Sequence, residues 1–472
     1  MKILMLGWEY PPVKSGGLGT ACYGLTKELA ALGHDIIFVA PFAVVSDKSR
    51  HLNLLNLSKY KIKQDSVSLK DRILSQFKLT EEMKKHITYE FITSLLNPYL
   101  SEETYRKKYS QELMELGRYL RSKKNLSKIF RTIDNYELEY NENSDSVDTK
   151  QIYGENLLQE VYEYAIKAER VALQYDFDII VAHDWMTFEA AVRIKQLTGK
   201  PFCAHIHATE FDRTGGNVNQ LIYDLEKLGL DEADLVIANS HFTKDGCIKY
   251  FQTNPRKIIP IHLAIDKEDV LAAGSSAFDI NKTGREKFVL FLGRLTMQKG
   301  PEYFLRAAAK AVKFYPELRF IIAGHGEKFS ALVELASQLK ISDKVFFTGF
   351  LQGEDIQRVL SKADLFVMSS VTEPFGLVAL EAIKANVPCI VSKTSGVSEI
   401  LHHVFKVDFW DTQEIANQMV NIMRYPALAQ TMRENAAYEA EAYTWSWTAQ
   451  RTAQAYEQLR VNIAKRENTY VS

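Results

Sequence analysis

A series of short, unbroken apolar runs, alternating with longer amphipathic stretches, constrains the fold of this chain more than any other feature. The first run is Lys2-Ile3-Leu4-Met5-Leu6 and the second is Asp35-Ile36-Ile37-Phe38-Val39-Ala40. Between them a loop through Pro11, Pro12, Gly16 and Gly17 leads to a helical stretch over about Leu18 to Leu32, closed by Gly33 as a C-terminal cap. A run that is apolar at every position, rather than at every second one, reads as a strand buried on both faces. Strand, helix and strand in succession predict a β-α-β unit and a parallel, doubly wound sheet.

The alternation stops after the second run. Residues from about Val45 to Tyr153 are rich in Lys, Glu, Ser and Asn, with amphipathic pieces such as Gln111 to Leu120 and a polar stretch at Asn141 to Ser146. This region reads as a largely helical insertion at about 45–153, either an acceptor-binding or lid element or a surface elaboration. Strand-like runs resume at Asp178 to Ala182, Phe202 to Ile206 and Leu235 to Ala238, after a helix near Leu157 to Gln174. A Ser- and Gly-containing stretch, Ala273 to Gly284, then reads as an interdomain linker. A second set of strands follows at Phe288 to Leu292, Arg319 to Ala323, Val345 to Phe347, Asp364 to Met368 and Pro388 to Val391. The last helix is expected from Ser446 to about Lys465. Two Rossmann-like α/β domains facing one cleft are therefore expected, over residues 1–270 and 280–443, with a C-terminal helix over 444–472.

At 472 residues the chain is too long for one core. Its net charge of -1 provides no basic field for nucleic acid or an acidic membrane surface. Four widely spaced cysteines form no C-x-x-C pair, which suits a reduced compartment. No segment approaches the roughly 18 continuous apolar residues of a membrane span, and the apolar start, Met1 to Leu6, is too short for a signal-peptide core. A cytoplasmic location is expected.

The chemistry is concentrated where strands end. In Ser369-Ser370-Val371-Thr372-Glu373-Pro374-Phe375-Gly376-Leu377-Val378-Ala379-Leu380-Glu381 an apolar strand gives way to an acidic loop and then a helix. Glu373 sits beside the backbone N–H groups that open the helix, and Glu381 lies two turns along it. Such N–H groups attract anionic or hydroxyl-rich ligands, and two carboxylates there can hold a polyol. The bland alternative is a capped helix with a solvated Glu381. Lys14-Ser15-Gly16-Gly17-Leu18-Gly19 follows the first strand; it is neither G-x-G-x-x-G nor a Walker loop, so an anion role for Lys14 competes with a bare glycine turn. Gly293-Arg294-Leu295-Thr296-Met297-Gln298-Lys299-Gly300 occupies the same place in the second half. Arg294 and Lys299 can neutralise a diphosphate without a metal, the first as a bidentate fork and the second as a point charge. No D-x-D motif stands near a strand end, so no metal and no cofactor beyond the substrate is expected. His183-Asp184-Trp185 and His205-Ile206-His207 end two first-half strands and read either as structural histidines or as sugar ligands. Gly324-His325-Gly326-Glu327 and Thr348-Gly349-Phe350 are weaker signals, the second offering an aromatic face for a base.

Together these segments resemble the retaining GT-B glycosyltransferases, in particular the glycogen and starch synthases and the neighbouring retaining families with the E-x7-E motif. The resemblance covers nearly the whole chain except the insertion. It implies that Lys14, Gly16 and Gly17 approach the donor diphosphate, that Arg294 and Lys299 clamp it, and that Glu373 touches the donor sugar while Glu381 holds the ribose. It further implies backbone contacts from Phe375, Gly376 and Leu377, a nucleobase packed on Phe350, His207 near the reacting carbon and Asp184 close to the reaction centre. Two departures stand out. Glu381 leans away from the ADP-glucose-dependent glycogen synthases, and His207-Ala208-Thr209-Glu210 differs from the V-H-N pattern of bacterial starch-type enzymes.

The implied reaction is transfer of a hexosyl, most readily glucosyl, unit from a nucleotide diphosphate sugar to an acceptor hydroxyl with retention, the α-glucan acceptor following the amino-terminal motif. The rivals are a transferase acting on another acceptor, a phosphorylase, an epimerase and an inactive sugar-binding module. A phosphorylase would need a pyridoxal-bearing lysine that no segment recommends. An epimerase lacks this motif set, and an inactive module should have lost residues that are all present.

Overall fold

The structure is a computed structural model that describes residues 1–13, 16–62, 138–140, 157–266, 282, 284–351 and 353–471. The first half contributes strands β1 (Lys2–Leu6), β2 (Asp35–Ala40), β3 (Asn53–Asn56), β4 (Tyr60–Ile62), β5 (Leu138–Tyr140), β6 (Ile179–His183), β7 (Phe202–Ile206), β8 (Leu235–Ala238) and β9 (Ile258–Pro260). Its helices are α1 (Gly17–Ala31), α2 (Leu157–Ala172), α3 (Trp185–Thr198), α4 (Glu210–Thr214), α5 (Gln220–Glu232) and α6 (His241–Phe251). The second half contributes β10 (Lys287–Leu292), β11 (Leu318–Ala323), β12 (Val345–Gly349), β13 (Leu365–Met368), β14 (Cys389–Ser392) and β15 (Phe405–Val407). Its helices are α7 (Pro301–Ala311), α8 (Phe329–Gln338), α9 (Glu354–Lys362), α10 (Leu377–Lys384), α11 (Thr412–Arg424), α12 (Pro426–Glu441) and α13 (Trp445–Val471).

Two parallel sheets carry the fold. One has strand order β3-β2-β1-β6-β7-β8-β9 and the other β12-β11-β10-β13-β14-β15. In the second sheet the strand residues alternate between two apolar cores. Val289, Phe291, Phe320, Ile322, Leu365 and Val367 belong to one, while Phe288, Leu290, Ile321, Phe366, Met368 and Val391 belong to the other. Side chains of a strand point alternately to opposite faces, and helices cover both, so every position must be apolar. That is why the runs in the sequence are unbroken.

By its internal packing the chain divides into two compact units. One draws on Met1–His205, Val218–Val236 and Ala453–Ser472, the other on Ile206–Asn217 and Ile237–Thr452. The final helix begins one residue earlier and runs further than its sequence pattern predicts.

The stretch read as an insertion needs correction at its start. Residues 53–56 form β3, which pairs in parallel with β2 from Ile37–Asn53 to Ala40–Asn56. The sheet therefore extends past position 45, and just beyond it Tyr60–Ile62 pairs antiparallel with Leu138–Tyr140. Four residues bracketed by asparagines carry too little apolar pattern to be read as a strand. The proposed helix at Gln111–Leu120, the polar stretch at 141–146 and most of the Ala273–Gly284 linker lie outside the described residues. The edge strands β9 and β15 likewise carry too little pattern to be read, being only three residues long. Among the described residues no helix is long and apolar enough to cross a membrane.

Candidate active site

In each sheet the strand order reverses once, between β1 and β6 in the first and between β10 and β13 in the second. Loops leaving adjacent strands at such a point run to opposite faces, and open α/β sheets bind ligands in the crevice beyond the strand ends there. Four of the sequence-predicted segments stand at these two places. The glycine turn follows β1 and Asp184 follows β6; Arg294 follows β10 and Glu373 follows β13.

In the second unit the loops after β10 and β13 are joined by backbone and side chain. Ser369 Oγ donates to the Gly300 carbonyl at 2.9 Å, and Val371 N–H donates to the Gln298 carbonyl at 2.9 Å. Gly300 is left-handed (φ 61°), and a Cβ there would lie 2.3 Å from the Ser369 carbonyl oxygen. Only glycine allows this approach, which lets Lys299 reach across. Its Nζ lies 2.6 Å from Glu373 Oε2, and Ser370 Oγ donates to the same oxygen at 3.0 Å. Glu373 is 7% exposed, so its carboxylate is held by a charge-assisted pair in poorly hydrated surroundings. Arg294, by contrast, is exposed, with its Nη2 3.5 Å from the Oε1 of buried Gln298. The nearby Leu295 N–H donates to the His325 carbonyl at 2.9 Å, which fixes the loop but leaves the guanidinium free to reorient.

The Glu373 loop is braced from its other side. Glu373 N–H donates to Thr394 O and Gly396 N–H donates to Glu373 O, each at 2.9 Å, while Val397 N–H reaches Phe375 O at 2.7 Å. The Phe375 side chain is 2% exposed and belongs to the core. Its backbone, with Gly376 (φ 112°), turns the chain into α10. That helix starts at Leu377 with no side-chain cap and no acidic residue in its first turn. Its N–H groups and positive dipole end therefore remain available to an anion beside Lys299. Glu381 is partly buried and lies little more than one turn into α10, closer to the helix start than the two turns read from the sequence. Phe350, just past β12 and the left-handed Gly349 (φ 75°), is 56% exposed, so its ring is open for stacking.

In the first unit Gly16 caps α1 without a side-chain bond and Gly17 opens the helix; both are exposed. Lys14 lies outside the described residues. Trp8 and Tyr10 of the same motif are buried. Trp8 meets Tyr164 edge-on, and Tyr10 Oη shares hydrogen bonds with Thr26 Oγ1 and His51 Nε2, each at 3.1 Å. They anchor the turn. Asp184 is 6% exposed and carries φ 61° and ψ 170°, a region nearly reserved for glycine and costing on the order of 1–3 kcal/mol. This strain in a buried polar residue at a strand end is a feature that sequence pattern did not carry. His205 Nε2 lies 2.6 Å from Tyr456 Oη of α13. The His207 carbonyl accepts from Asn239 Nδ2 at 2.9 Å.

Sequence reasoning missed Ser370, Gln298 and the support formed by Glu399. The Glu399 carboxylate accepts from Phe242 N–H at 2.6 Å, His241 N–H at 2.9 Å and His262 Nε2 at 2.8 Å. It thus caps α6 and ties the turn that braces Glu373 to that helix. Burial alone would raise its pKa; the bonds from His262 and the two backbone N–H groups outweigh that and hold it below the usual 4.5. A depressed carboxylate stabilises the fold above its unfolded pKa, and this contribution disappears as pH falls through the folded value. Thermal unfolding followed from pH 6 to about pH 3 should show wild type more stable than Glu399→Gln at the upper end, with the gap closing below the usual carboxylate range. A gap independent of pH would remove the charge from this role.

Residues 275–438 match the family model described as glycosyl transferases group 1, residues 113–269 that of glycosyltransferase family 4, and residues 2–115 that of the starch synthase catalytic domain. The chain is 27% identical over 471 residues to an uncharacterized glycosyltransferase of Methanocaldococcus jannaschii, covering 97% of this chain and 98% of the relative. It is 25% identical over 464 residues to a glycogen synthase of Mycobacterium tuberculosis, covering 97% and 94%. Among solved structures, the sucrose-phosphate synthase of Thermosynechococcus elongatus superposes with a TM-score of 0.66 at 17% identity, covering 98% of this chain and 99% of that one. HepE of Anabaena, solved in complex with UDP and glucose, gives 0.61 at 17% identity, covering 97% and 100%.

Proposed function

We propose that this chain, which is similar to glycosyltransferases of GT-B fold, moves a glucosyl unit from a nucleotide diphosphate sugar to the terminal hydroxyl of an α-glucan, with retention at the anomeric carbon. The observation that carries the proposal is the paired Lys299 and Glu373 beside an uncapped helix start at the β10/β13 reversal. A bound diphosphate would lie over the α10 N–H groups. Lys299 has three N–H donors, so it can keep Glu373 while donating to a phosphate oxygen. Arg294, which is exposed, would close over the other oxygens. Glu373 would then accept from a hydroxyl of the donor sugar, Glu381 would hold the ribose and Phe350 would pack on the base. The glucan acceptor is supported by the glycogen synthase likeness, which spans 97% of the chain, and by the starch synthase match over its first 115 residues.

The chemistry then rests on electrostatics. As the sugar–phosphate bond breaks, negative charge grows on the leaving diphosphate, and preorganised cations and N–H dipoles stabilise it. The leaving oxygen takes the acceptor's proton on the same face of the sugar. The family resemblance assigns His207 and Asp184 to the reacting sugar and Lys14, Gly16 and Gly17 to the diphosphate. No metal is assigned a role.

The test is nucleotide release from UDP-glucose, ADP-glucose and GDP-mannose, each with and without glycogen, with Glu373→Ala as control. Glycogen-stimulated release from one glucose donor, absent in the control, supports the proposal and identifies the nucleotide. Release that glycogen does not stimulate moves the acceptor to another class, and binding without turnover favours an inactive module.

A further inference from the structure

Two residues assigned to the donor sugar, His207 and Glu373, are 166 positions apart in the chain, and a buried polar network within the second unit joins their backbones. Asn239 Nδ2 donates to the His207 carbonyl at 2.9 Å. The same side chain's Oδ1 accepts from Thr243 Oγ1 at 2.7 Å. Ser240 Oγ, 3.0 Å from Thr243 Oγ1, donates to the carbonyl of Pro374 at 2.6 Å, one residue past Glu373. A second link runs on the other side of Glu373. Thr372 Oγ1 donates to Asp212 Oδ1 at 2.7 Å, and Asp212 Oδ2 accepts from the backbone N–H and Oγ1 of Thr209, each at 2.8 Å. Thr209 is two residues beyond His207.

The network is buried. Asn239, Ser240, Thr243 and Asp212 are 4%, 0%, 1% and 9% exposed. There is no slack beside it: a Cβ on Gly396 would meet the Pro374 carbonyl oxygen at 2.3 Å and Ser240 Cβ at 2.5 Å. Ser240 also caps α6 through Thr243 N–H at 2.9 Å. The cap uses the hydroxyl oxygen as acceptor, which leaves its proton to reach the Pro374 carbonyl in the Glu373 loop.

We infer that Ser240 and Asn239 on one side, and Thr372 with Asp212 on the other, are positioning residues that set the spacing of His207 and Glu373 around the donor sugar. This inference rests on the proposed transferase function. Hydrogen bonds to the residues flanking Glu373, one before and one after, fix both its position and the pitch of its side chain. Loss of either lets the loop drift, and a misplacement of about 1 Å at a reacting centre can cost about 100-fold in rate.

The test compares wild type with Thr372→Val, which keeps the shape but loses the hydroxyl, Thr372→Ser, which keeps the hydroxyl, and Ser240→Ala. Steady-state turnover on the active glucose donor and thermal unfolding are measured for each. Thr372→Val and Ser240→Ala are expected to lower kcat about 10- to 100-fold with donor KM changed less than about threefold, and Thr372→Ser to restore most of it. If Ser240→Ala fails to fold, the Thr372 pair alone decides. Normal kcat in Thr372→Val, or a loss that Thr372→Ser does not restore, overturns the inference while the transferase reading stands. A wild type that releases nucleotide from no sugar donor overturns the function and the inference with it.

Discussion

Arg294→Ala is expected to lower turnover by about 100- to 1000-fold, the equivalent of roughly 3–4 kcal/mol of transition-state stabilisation. The residue is exposed and its nearest polar partner, Gln298 Oε1, is 3.5 Å away. It therefore contributes little to the fold, and its removal should move stability by no more than about 0.5 kcal/mol. In the proposed reaction its charge would meet that of a leaving diphosphate, which grows only as the bond breaks. The loss should appear in kcat more than in donor KM. Arg294→Lys should recover part of the rate, because an ammonium keeps the charge but not the bidentate fork. Unchanged turnover in the alanine variant, measured by nucleotide release, would remove the clamp.

Glu373→Ala should be the more damaging change, because here function and stability coincide. Its carboxylate is bonded to Lys299 at 2.6 Å and to Ser370 at 3.0 Å in a buried position. Truncation leaves a half-buried ammonium and a hydroxyl without their acceptor, at a cost of about 1–3 kcal/mol. It also removes the acceptor proposed for the donor sugar, with turnover falling about 1000-fold or more. Glu373→Gln separates the two effects. The amide oxygen can still accept from Ser370 or Lys299, so most of the stability should return, while the missing charge keeps turnover low. A glutamine variant with wild-type kcat, assayed beside its unfolding curve, would rule out the carboxylate's role in the reaction.

The regular elements around these residues were legible because they obey local rules. An all-apolar run such as Phe288 to Leu292 must be covered on both faces, and Gly33, left-handed at φ 83°, ends the first helix as its residue type predicts. Parallel strands joined by helices then bring the loops after β10 and β13 together at the order reversal, so Arg294, Lys299 and Glu373 could be placed near strand ends from pattern alone. Strands β3, β9 and β15 were not legible, since three or four residues at a sheet edge carry no decisive period. The insertion was started too early for that reason.

What the sequence determined by itself was the class of each element and the residue types at the strand ends, because both follow from spacing along the chain. It also supplied the motif set whose likeness pointed to GT-B glycosyltransferases. Only the tertiary structure decided the partners. It joined Lys299 to Glu373 across 74 positions, where the sequence reading had assigned one to phosphate and the other to sugar. It turned His205 toward Tyr456, gave Asp184 a strained backbone and set Ser240, Asp212 and Glu399 around the Glu373 loop. Hydrogen bonds of this kind depend on distances of a few tenths of an ångström between segments far apart in the chain. No local propensity encodes them; they exist only once the chain has folded.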